Sequence, residues 1–222
     1  CHISVVVGLM NHDFARMHAQ DAPLALTGGA ASVAAGRLSF VYGLTCAAIT
    51  IDTACSSSLA ALHTASQQLR GSPAVGALAA AANLLLLPTT TLAFAFAGML
   101  STRCRSFDQR ADGYVRSEGV CCATLGDGGA QPRLLEEGAA AVLEAVALRQ
   151  DGARASLTAP NGAAQARLLL AAARQAGCFP THVEAHGSGT ALGDPIELRA
   201  SARPARLISS VKANVGHAEP TA

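Results

Sequence analysis

A strand pattern gives way to a helix pattern in the stretch Asp52-Thr53-Ala54-Cys55-Ser56-Ser57-Ser58-Leu59. Residues 47–52 predict a buried strand, and residues 55–70 repeat apolar side chains at helical spacing. A thiol at such a turn lies at a sheet edge, beside helix N–H groups that favour a thiolate and bind an oxyanion. Cys55 is therefore a candidate nucleophile. The alternative is that Cys55 is one more buried thiol, followed by ordinary capping serines.

Short apolar runs and longer periodic runs continue to alternate on both sides of this stretch. Strands are predicted at residues 5–8, 47–52, 75–82, 120–125, 140–147, 183–186 and 207–211. Helices are predicted at residues 30–42, 55–70, 89–99, 163–177 and 195–202. This alternation predicts an α/β fold whose strands are covered on both faces.

Length, composition and cysteine usage narrow the function classes. Of the 222 residues, 50% are hydrophobic and 14% are charged, and the formal net charge is +1. This hydrophobic content and small net charge exclude a disordered chain. The lack of a basic excess argues against nucleic-acid binding. The 7 cysteines are odd in number and contain no CxxC pair, which is typical of neither a disulfide framework nor a zinc site. We therefore expect mostly buried thiols in an intracellular, reducing compartment.

An uncharged stretch runs between Arg70 and Arg103 and is long enough to cross a bilayer. Asn83 lies inside it, and Pro88 followed by three threonines divides it into two short halves. We therefore predict a buried strand, a loop and a helix here, and no membrane span.

Two further motifs carry candidate site residues. In His186-Gly187-Ser188-Gly189-Thr190 a histidine at a strand end leads into a glycine-rich loop that could admit a thin polar ligand; the alternative is a plain turn. In the third motif, Lys212 is the only lysine of the chain and stands five residues before His217. Neither histidine has a second ligand at motif spacing, so no metal site is predicted.

Taken jointly, residues 52–59, 183–197 and 210–219 resemble the three active-site motifs of β-ketoacyl synthases, in the version of type-I polyketide synthases. Other stretches agree with this resemblance and occur in family order: Ala34-Ala35-Gly36-Arg37-Leu38-Ser39, Gly98-Met99-Leu100-Ser101, Ser106-Phe107-Asp108, Ala111-Asp112-Gly113-Tyr114-Val115-Arg116 and Leu157-Thr158-Ala159-Pro160-Asn161-Gly162.

The resemblance implies a thiolase-like layered αβαβα fold, which we expect to be incomplete at both ends. Residues 1–150 would be approximately the later part of the first half of that fold, and residues 151–222 the opening of the second half. The family is usually dimeric and works with an acyl carrier protein. Its reaction is a decarboxylative Claisen condensation in polyketide or fatty-acid biosynthesis, an acyltransferase activity that would be doubtful for this fragment alone.

The resemblance also assigns roles. Cys55 would be acylated from an acyl carrier thioester, and His186 and His217 would promote loss of CO₂ from a malonyl carrier thioester. Lys212 would support the histidines electrostatically. Ser188 and Thr190 would lie near the phosphopantetheine arm of the carrier, and no bound cofactor or metal is implied.

The chain also departs from the family pattern. Ser188 stands where the family usually has Thr, and Ala81-Ala82 stand where it usually has two glycines. We expect residues 201–206 to form a shortened bridge, and residues 1–222 contain no match to the family's C-terminal glycine-rich loop. Alternatives are a non-catalytic carrier-binding partner, a truncated inactive fragment, or a thiolase or CoA-dependent condensing enzyme. The sequence does not distinguish a polyketide from a fatty-acid product or a cytoplasmic from a plastid location. It also does not indicate the acyl chain length or the neighbouring domains.

Overall fold

The computed structural model describes residues 2–18, 23, 25–71, 73–127, 138–154, 156–202 and 205–221. The chain divides into two compact units. The first combines Cys1–Thr91, Ser117–Val142 and Ala218–Ala222, and the second combines Leu92–Arg116 and Leu143–His217. The predicted division near residue 150 into two thiolase-like halves stays a prediction. Residues 203 and 204 of the predicted shortened bridge, and the Cys1 thiol, lie outside the described residues.

A four-stranded sheet forms the centre of the first unit. In chain order, the strands and helices of this unit are β1 (Ile3–Gly8), α1 (Asp13–Met17), α2 (Ala25–Gly29), α3 (Ala31–Tyr42), β2 (Ala48–Ile51), α4 (Ser57–Gly71), β3 (Gly76–Asn83), α5 (Pro88–Phe96) and β4 (Gly119–Gly126). Helix α5 continues into the second unit. The strand order is β2-β1-β3-β4; β1 is parallel to β2 and β3, and β4 is antiparallel to β3. The carboxyl ends of the three parallel strands therefore lie at one edge of the sheet.

Both faces of this sheet are covered, as the alternating pattern predicts. On one face α4 packs through small side chains onto β1 and β3, in a cluster of Val6, Ala61, Ala65, Ala77 and Ala79. On the other face α3 packs against β1, in a cluster of Val5, Val7 and Ala35. Because successive strand residues point to opposite faces, neighbouring residues of β1 serve both clusters.

Gly8, the last residue of β1, explains how closely α4 can approach the sheet. A Cβ atom at this position would lie 2.7 Å from the backbone carbon and oxygen of Ser57, the first residue of α4. Only a residue without a side chain permits this approach. Gly8 therefore fixes where α4 begins, and with it the turn that precedes the helix.

The second unit contains a two-stranded parallel sheet and three complete helices among its described residues. They are α6 (Gly162–Ala176), β5 (His182–Glu184), α7 (Gly193–Ser201), β6 (Leu207–Ser209) and α8 (Lys212–Val215). Helix α6 begins after Asn161, whose side chain accepts a hydrogen bond from the Ala164 amide at 3.1 Å, and it ends at Gly177 with φ 74°. These are an N-cap and a left-handed C-terminal glycine.

Most predicted elements form within about three residues of the predicted bounds, but three expectations are wrong. Residues 140–147 form no strand, because an apolar run becomes a strand only beside a hydrogen-bonded neighbour; Val142 is instead exposed. Helix α5 forms as predicted but buries none of its residues. The described thiols are not mostly buried, since only Cys104 is buried among Cys46, Cys55, Cys104, Cys121, Cys122 and Cys178.

The uncharged stretch after Arg70 forms β3, a loop and α5. Within the described part of the chain, no helix combines the length and the apolar character that crossing a bilayer requires.

Candidate active site

Cys55 lies in a short 3₁₀ turn, Ala54–Ser56, between the end of β2 and the start of α4. Its side chain is half-buried. The turn is held by local hydrogen bonds: the Ala54 amide donates to Asp52 Oδ1 at 2.9 Å, and the Thr53 amide donates to Ser57 Oγ at 2.9 Å. Ser57 Oγ in turn donates to the Ala54 carbonyl at 2.6 Å. Aspartate and serine side chains thus tie the residues on either side of Cys55 together.

The backbone of this turn is unusual because Ala54 has φ 53°, a left-handed conformation in a residue with a side chain. Such conformations are costly and persist where the surrounding structure enforces them, often at functional sites. Cys55 follows directly, immediately before the N-terminus of the 15-residue helix α4. This places the thiol where helix amides and the helix dipole favour negative charge.

His186 follows β5 and opens the glycine-rich loop of the second unit. Two carboxylates of α7 hold this loop. Glu197 accepts from the amides of His186 at 2.6 Å and Gly187 at 2.8 Å, and Asp194 accepts from those of Gly189 and Thr190 at 3.1 Å each. Asp194, only 3% exposed, also accepts from the Phe107 amide at 2.8 Å. These hydrogen bonds connect the backbone of the loop that carries His186 to helix α7.

Two glycines of this loop are required by close packing. A Cβ atom on Gly187, which has φ 44°, would lie 2.6 Å from Ser210 Cβ. A Cβ atom on Gly189, which has φ 82°, would lie 2.8 Å from the Arg105 amide nitrogen. Positive φ and the absence of free space together exclude other residues at both positions.

Ser188 and Thr190 occupy the same loop in different environments. Ser188 is 4% exposed, whereas Thr190 is half-buried and packs over Gly193 at the start of α7. Only Thr190 therefore presents much side-chain surface to a ligand approaching the loop, and the contact of either residue with a phosphopantetheine arm stays a prediction.

His217 is fully buried in the second unit, with 0% of its surface exposed. Its amide donates to the Val115 carbonyl at 2.8 Å, after Gly216 with φ 79° ends helix α8. Lys212, the first residue of α8, is 6% exposed. The short helix thus brings a buried ammonium group close to a buried imidazole in the folded chain.

The structure brings His186 and His217 together. Their ring centroids lie 5.1 Å apart at an interplanar angle of 84°. On its other side, His217 meets the ring of Tyr114 edge-on at 5.0 Å. Two imidazoles from separate motifs therefore form one pair, whereas Cys55 belongs to the first unit.

Both histidines are disposed to stay neutral. The pKa of His217 is lowered to about 3, first by burial of the ring and then by the nearby His186, Lys212 and Arg116. The pKa of His186 is lowered too, first by burial and then by Lys212, against the opposing effect of Glu197 and Asp194. The Lys212 ammonium thus disfavours the imidazolium form of both rings.

The family assignment follows from sequence comparison. The model of the β-ketoacyl synthase N-terminal domain matches residues 2–128, and the model of the C-terminal domain matches residues 140–222. The chain belongs to the β-ketoacyl synthase family. It is a ketosynthase domain of the type-I polyketide-synthase kind, as the three motifs predict.

Relatives of this ketosynthase domain are polyketide synthases. One of the phenolphthiocerol/phthiocerol polyketide synthase proteins of Mycobacterium tuberculosis is 41% identical over 99% of this chain, and the match covers 11% of that protein. Spectinabilin polyketide synthase system protein NorA' of Streptomyces orinoci is 40% identical over 98% of this chain and 6% of its own length. The chain thus spans about a tenth or less of these relatives.

Solved ketosynthase structures confirm the fold class. The oxazolomycin ketosynthase domain OzmH KS7 of Streptomyces albus JA3453 matches with a TM-score of 0.88 and 35% identity, over 100% of this chain and 42% of that chain. The ketosynthase from module 6 of the bacillaene synthase of Bacillus subtilis 168 matches with a TM-score of 0.83 and 31% identity, over 100% of this chain and 41% of that chain. The ketosynthase domain has the predicted thiolase-like α/β fold.

Sequence reasoning misses the groups that surround the histidine pair. Tyr114 and Arg116 are 2% and 9% exposed, and the Arg116 guanidinium lies 5.1 Å from the centroid of the Phe94 ring. Arg116 also forms a β-bridge with His217. Tyr114 and Arg116 stand in a family-like stretch of sequence, but nothing in their local pattern indicates a place beside His217.

The described residues contain no group of three or more His, Cys, Asp or Glu side chains arranged to hold a metal ion. His63 lies within α4 and is half-buried.

Proposed function

We propose that this ketosynthase domain catalyses decarboxylative Claisen condensation between a malonyl carrier thioester and an acyl group bound to Cys55. The observation that carries the proposal is the pair of histidine rings with centroids 5.1 Å apart, beside the buried Lys212. A second support is that the relatives from Mycobacterium and Streptomyces are polyketide synthases, which favours polyketide over fatty-acid chain extension.

The first step is acyl transfer. The Cys55 thiolate attacks the carbonyl carbon of an acyl carrier thioester, a new C–S bond forms to Cys55, and the old C–S bond breaks. The leaving phosphopantetheine thiolate takes up the proton that Cys55 lost. One thioester replaces another, so the step needs little free energy, and the amides at the start of α4 stabilise the oxyanion formed during attack.

The second step is decarboxylation. Two neutral imidazoles each donate an N–H to the thioester carbonyl oxygen of the malonyl group, which stabilises the enolate as the C–C bond to the carboxylate breaks and CO₂ leaves. The Lys212 ammonium opposes protonation of both rings and so preserves neutral donors.

The third step is condensation. The enolate carbon attacks the acyl carbon on Cys55, the Cys55–acyl bond breaks, and Cys55 regains its thiolate. The product is a 3-oxoacyl carrier thioester that is two carbons longer.

The proposal includes an acyl carrier protein as partner, with its phosphopantetheine arm passing Ser188 and Thr190. It also includes a homodimer and an intracellular, reducing compartment, where Cys55 stays a thiol.

Acyl loading of Cys55 tests the proposal directly. We expect the intact protein that carries this chain to gain one acyl group from an acyl thioester, located on Cys55 by peptide mass spectrometry. Cys55→Ala should abolish this adduct. Cys122→Ala removes an exposed thiol of β4 and serves as the matched control, which should load normally. An unsubstituted protein without an adduct, or an adduct that survives in Cys55→Ala, would overturn the proposal.

A further inference from the structure

A buried polar cluster lies in the first unit at the sheet edge where the parallel strands end. Asn11 Nδ2 donates to Asn83 Oδ1 at 2.8 Å and to Glu219 Oε2 at 2.9 Å. Asn83 Nδ2 donates to the Ser117 carbonyl at 2.7 Å. Glu219 and Asn83 are 0% and 1% exposed. None of these side chains has a role in the three proposed steps.

The cluster joins three parts of the chain that are far apart in sequence. Asn11 follows β1, Asn83 ends β3, and Glu219 opens the 3₁₀ turn Glu219–Thr221. This 3₁₀ turn packs against the Cys55 turn, Ala54–Ser56, and against α4. Glu219 therefore connects the carboxyl edge of the sheet to the segment that carries the nucleophile.

The two contacting turns share a backbone feature. Each begins at a non-glycine residue with positive φ, Ala54 at 53° and Glu219 at 44°. Such residues persist only where the surroundings hold them. The hydrogen bond from Asn11 to the Glu219 side chain is an interaction able to hold the second turn in this conformation.

Packing alone does not explain a buried carboxylate, because its burial is energetically unfavourable. Removing a carboxylate from water costs free energy that hydrogen bonds must offset, and an apolar side chain of similar size often stabilises a fold as well or better. A buried glutamate at this place is therefore better explained by the geometry that it imposes than by stability.

We propose that Glu219 is a positioning residue for Cys55. By accepting the Asn11 amide hydrogen bond, its carboxylate fixes the turn Glu219–Thr221 against the Cys55 turn and so sets the approach of the Cys55 thiol to a thioester carbonyl. This inference rests on the proposed function. Since a displacement of about 1 Å can cost about 100-fold in rate, loss of this contact should be visible in the chemistry.

Three substitutions in the intact protein test the inference. Glu219→Ala and Asn11→Ala each remove one partner of the hydrogen bond, and each should slow acylation of Cys55 by about tenfold or more. Glu219→Gln keeps an oxygen acceptor for Asn11 and should retain most of the rate. The double variant Glu219→Ala with Asn11→Ala should be no slower than the slower single variant, because both remove the same interaction. The measurement is the rate of acyl-Cys55 formation by mass spectrometry.

Asn161→Ala is the control for a purely structural effect. It removes the N-cap of α6 in the second unit and should lower the unfolding temperature while leaving acylation of Cys55 unchanged. If Glu219→Ala and Asn11→Ala behave like this control, losing stability but not acylation rate, the positioning role is overturned. Strictly multiplicative rate losses in the double variant would overturn it as well.

Failure of the positioning role of Glu219 can be distinguished from failure of the proposed function. If the unsubstituted protein takes up no acyl group, the proposed function fails. The role of Glu219 is then measured by the rate at which iodoacetamide alkylates Cys55, which should fall in Glu219→Ala and recover in Glu219→Gln. Equal alkylation rates in all three proteins would refute the positioning role.

Discussion

His217 combines features that a solvent-exposed histidine cannot have. Its ring is fully buried between Tyr114 and His186, and its backbone is fixed by the hydrogen bond to the Val115 carbonyl. Burial and nearby positive charge both disfavour the imidazolium form. A neutral imidazole in fixed orientation is the state that donates an N–H without first losing a proton.

The first prediction concerns the pH dependence of malonyl decarboxylation. Because the pKa of His217 is lowered from 6.5 to about 3, decarboxylation should persist as the pH falls through 6.5. Lys212→Met removes one cause of the low pKa of both rings, so the acid limb of the profile should move to higher pH, and Lys212→Arg should largely restore it. The measurement is CO₂ release from a malonyl thioester against pH. An acid limb near 6.5 in the unsubstituted protein, or no displacement in Lys212→Met, would contradict the assigned electrostatics.

The lowered pKa of His217 also makes the free energy of unfolding depend on pH. Between 6.5 and about 3, an unfolded chain binds a proton at His217 that the folded chain does not. The free energy of unfolding should therefore decrease as the pH falls through this window on account of His217.

At the residue scale, the sequence could identify candidates but not their neighbours. Cys55, His186, His217 and Lys212 stand in motifs whose local pattern already indicates a strand end or a helix start. Arg116 and Tyr114 come to His217 only through the folded chain, by a β-bridge and a ring contact. No local pattern encodes a contact between residues so far apart in sequence.

At the element scale, the Cys55 turn is positioned by the close contact between β1 and α4. Small side chains dominate this contact, and Gly8 lies directly against Ser57 at the helix N-terminus. Close-packed interiors tolerate extra atoms poorly, so even a methyl group at this contact must displace backbone.

The second prediction concerns Gly8→Ala. The added Cβ would lie 2.7 Å from Ser57 backbone atoms, and Ser57 is fully buried at the start of α4. We expect a loss of about 1–3 kcal/mol in the free energy of unfolding, as for other overpacked sites, together with slower acylation of Cys55. Denaturant unfolding and acyl loading measure the two effects.

Gly36→Ala is the matched control for that substitution. Gly36 lies inside α3, and a Cβ there would meet nothing within 4 Å. Alanine in a helix interior is favoured over glycine, so stability should rise by about 0.5–1 kcal/mol with unchanged acylation. If Gly8→Ala were as stable and as reactive as Gly36→Ala, the close contact would not be what positions α4.

The accuracy of the element predictions has a physical reason. β1 and β3 are predictable because each is an apolar run bounded by turn residues and each lies in a sheet with neighbours on both sides. Residues 140–147 have the same apolar character but form no strand. Hydrophobicity is a local property, whereas a strand requires a partner from elsewhere in the chain.

At the scale of the whole molecule, the predicted catalytic residues are distributed between the two units. Cys55 belongs to the first unit, while His186, Lys212 and His217 belong to the second. The chain changes unit four times, after residues 91, 116, 142 and 217. The sequence motifs predict that these groups serve one reaction, but local patterns contain no information on the distance between them.

The last prediction follows from this division of residues. Acyl transfer to Cys55 and decarboxylation of the malonyl group are separate half-reactions, so each should survive loss of the other's residues. His217→Ala should reduce malonyl decarboxylation by about 100-fold or more, as for removal of one oxyanion donor, while acyl loading of Cys55 continues. Cys55→Ala should abolish loading while malonyl decarboxylation continues. Both substitutions should eliminate the 3-oxoacyl product, because condensation needs the acyl group and the enolate together.

The two half-reactions are measured separately: acyl loading by mass spectrometry of the adduct, and decarboxylation by CO₂ release. Condensation is measured by detection of the 3-oxoacyl product. If His217→Ala prevented loading as strongly as Cys55→Ala does, while its unfolding temperature stayed unchanged, the assignment of the histidine pair to the malonyl group would be wrong.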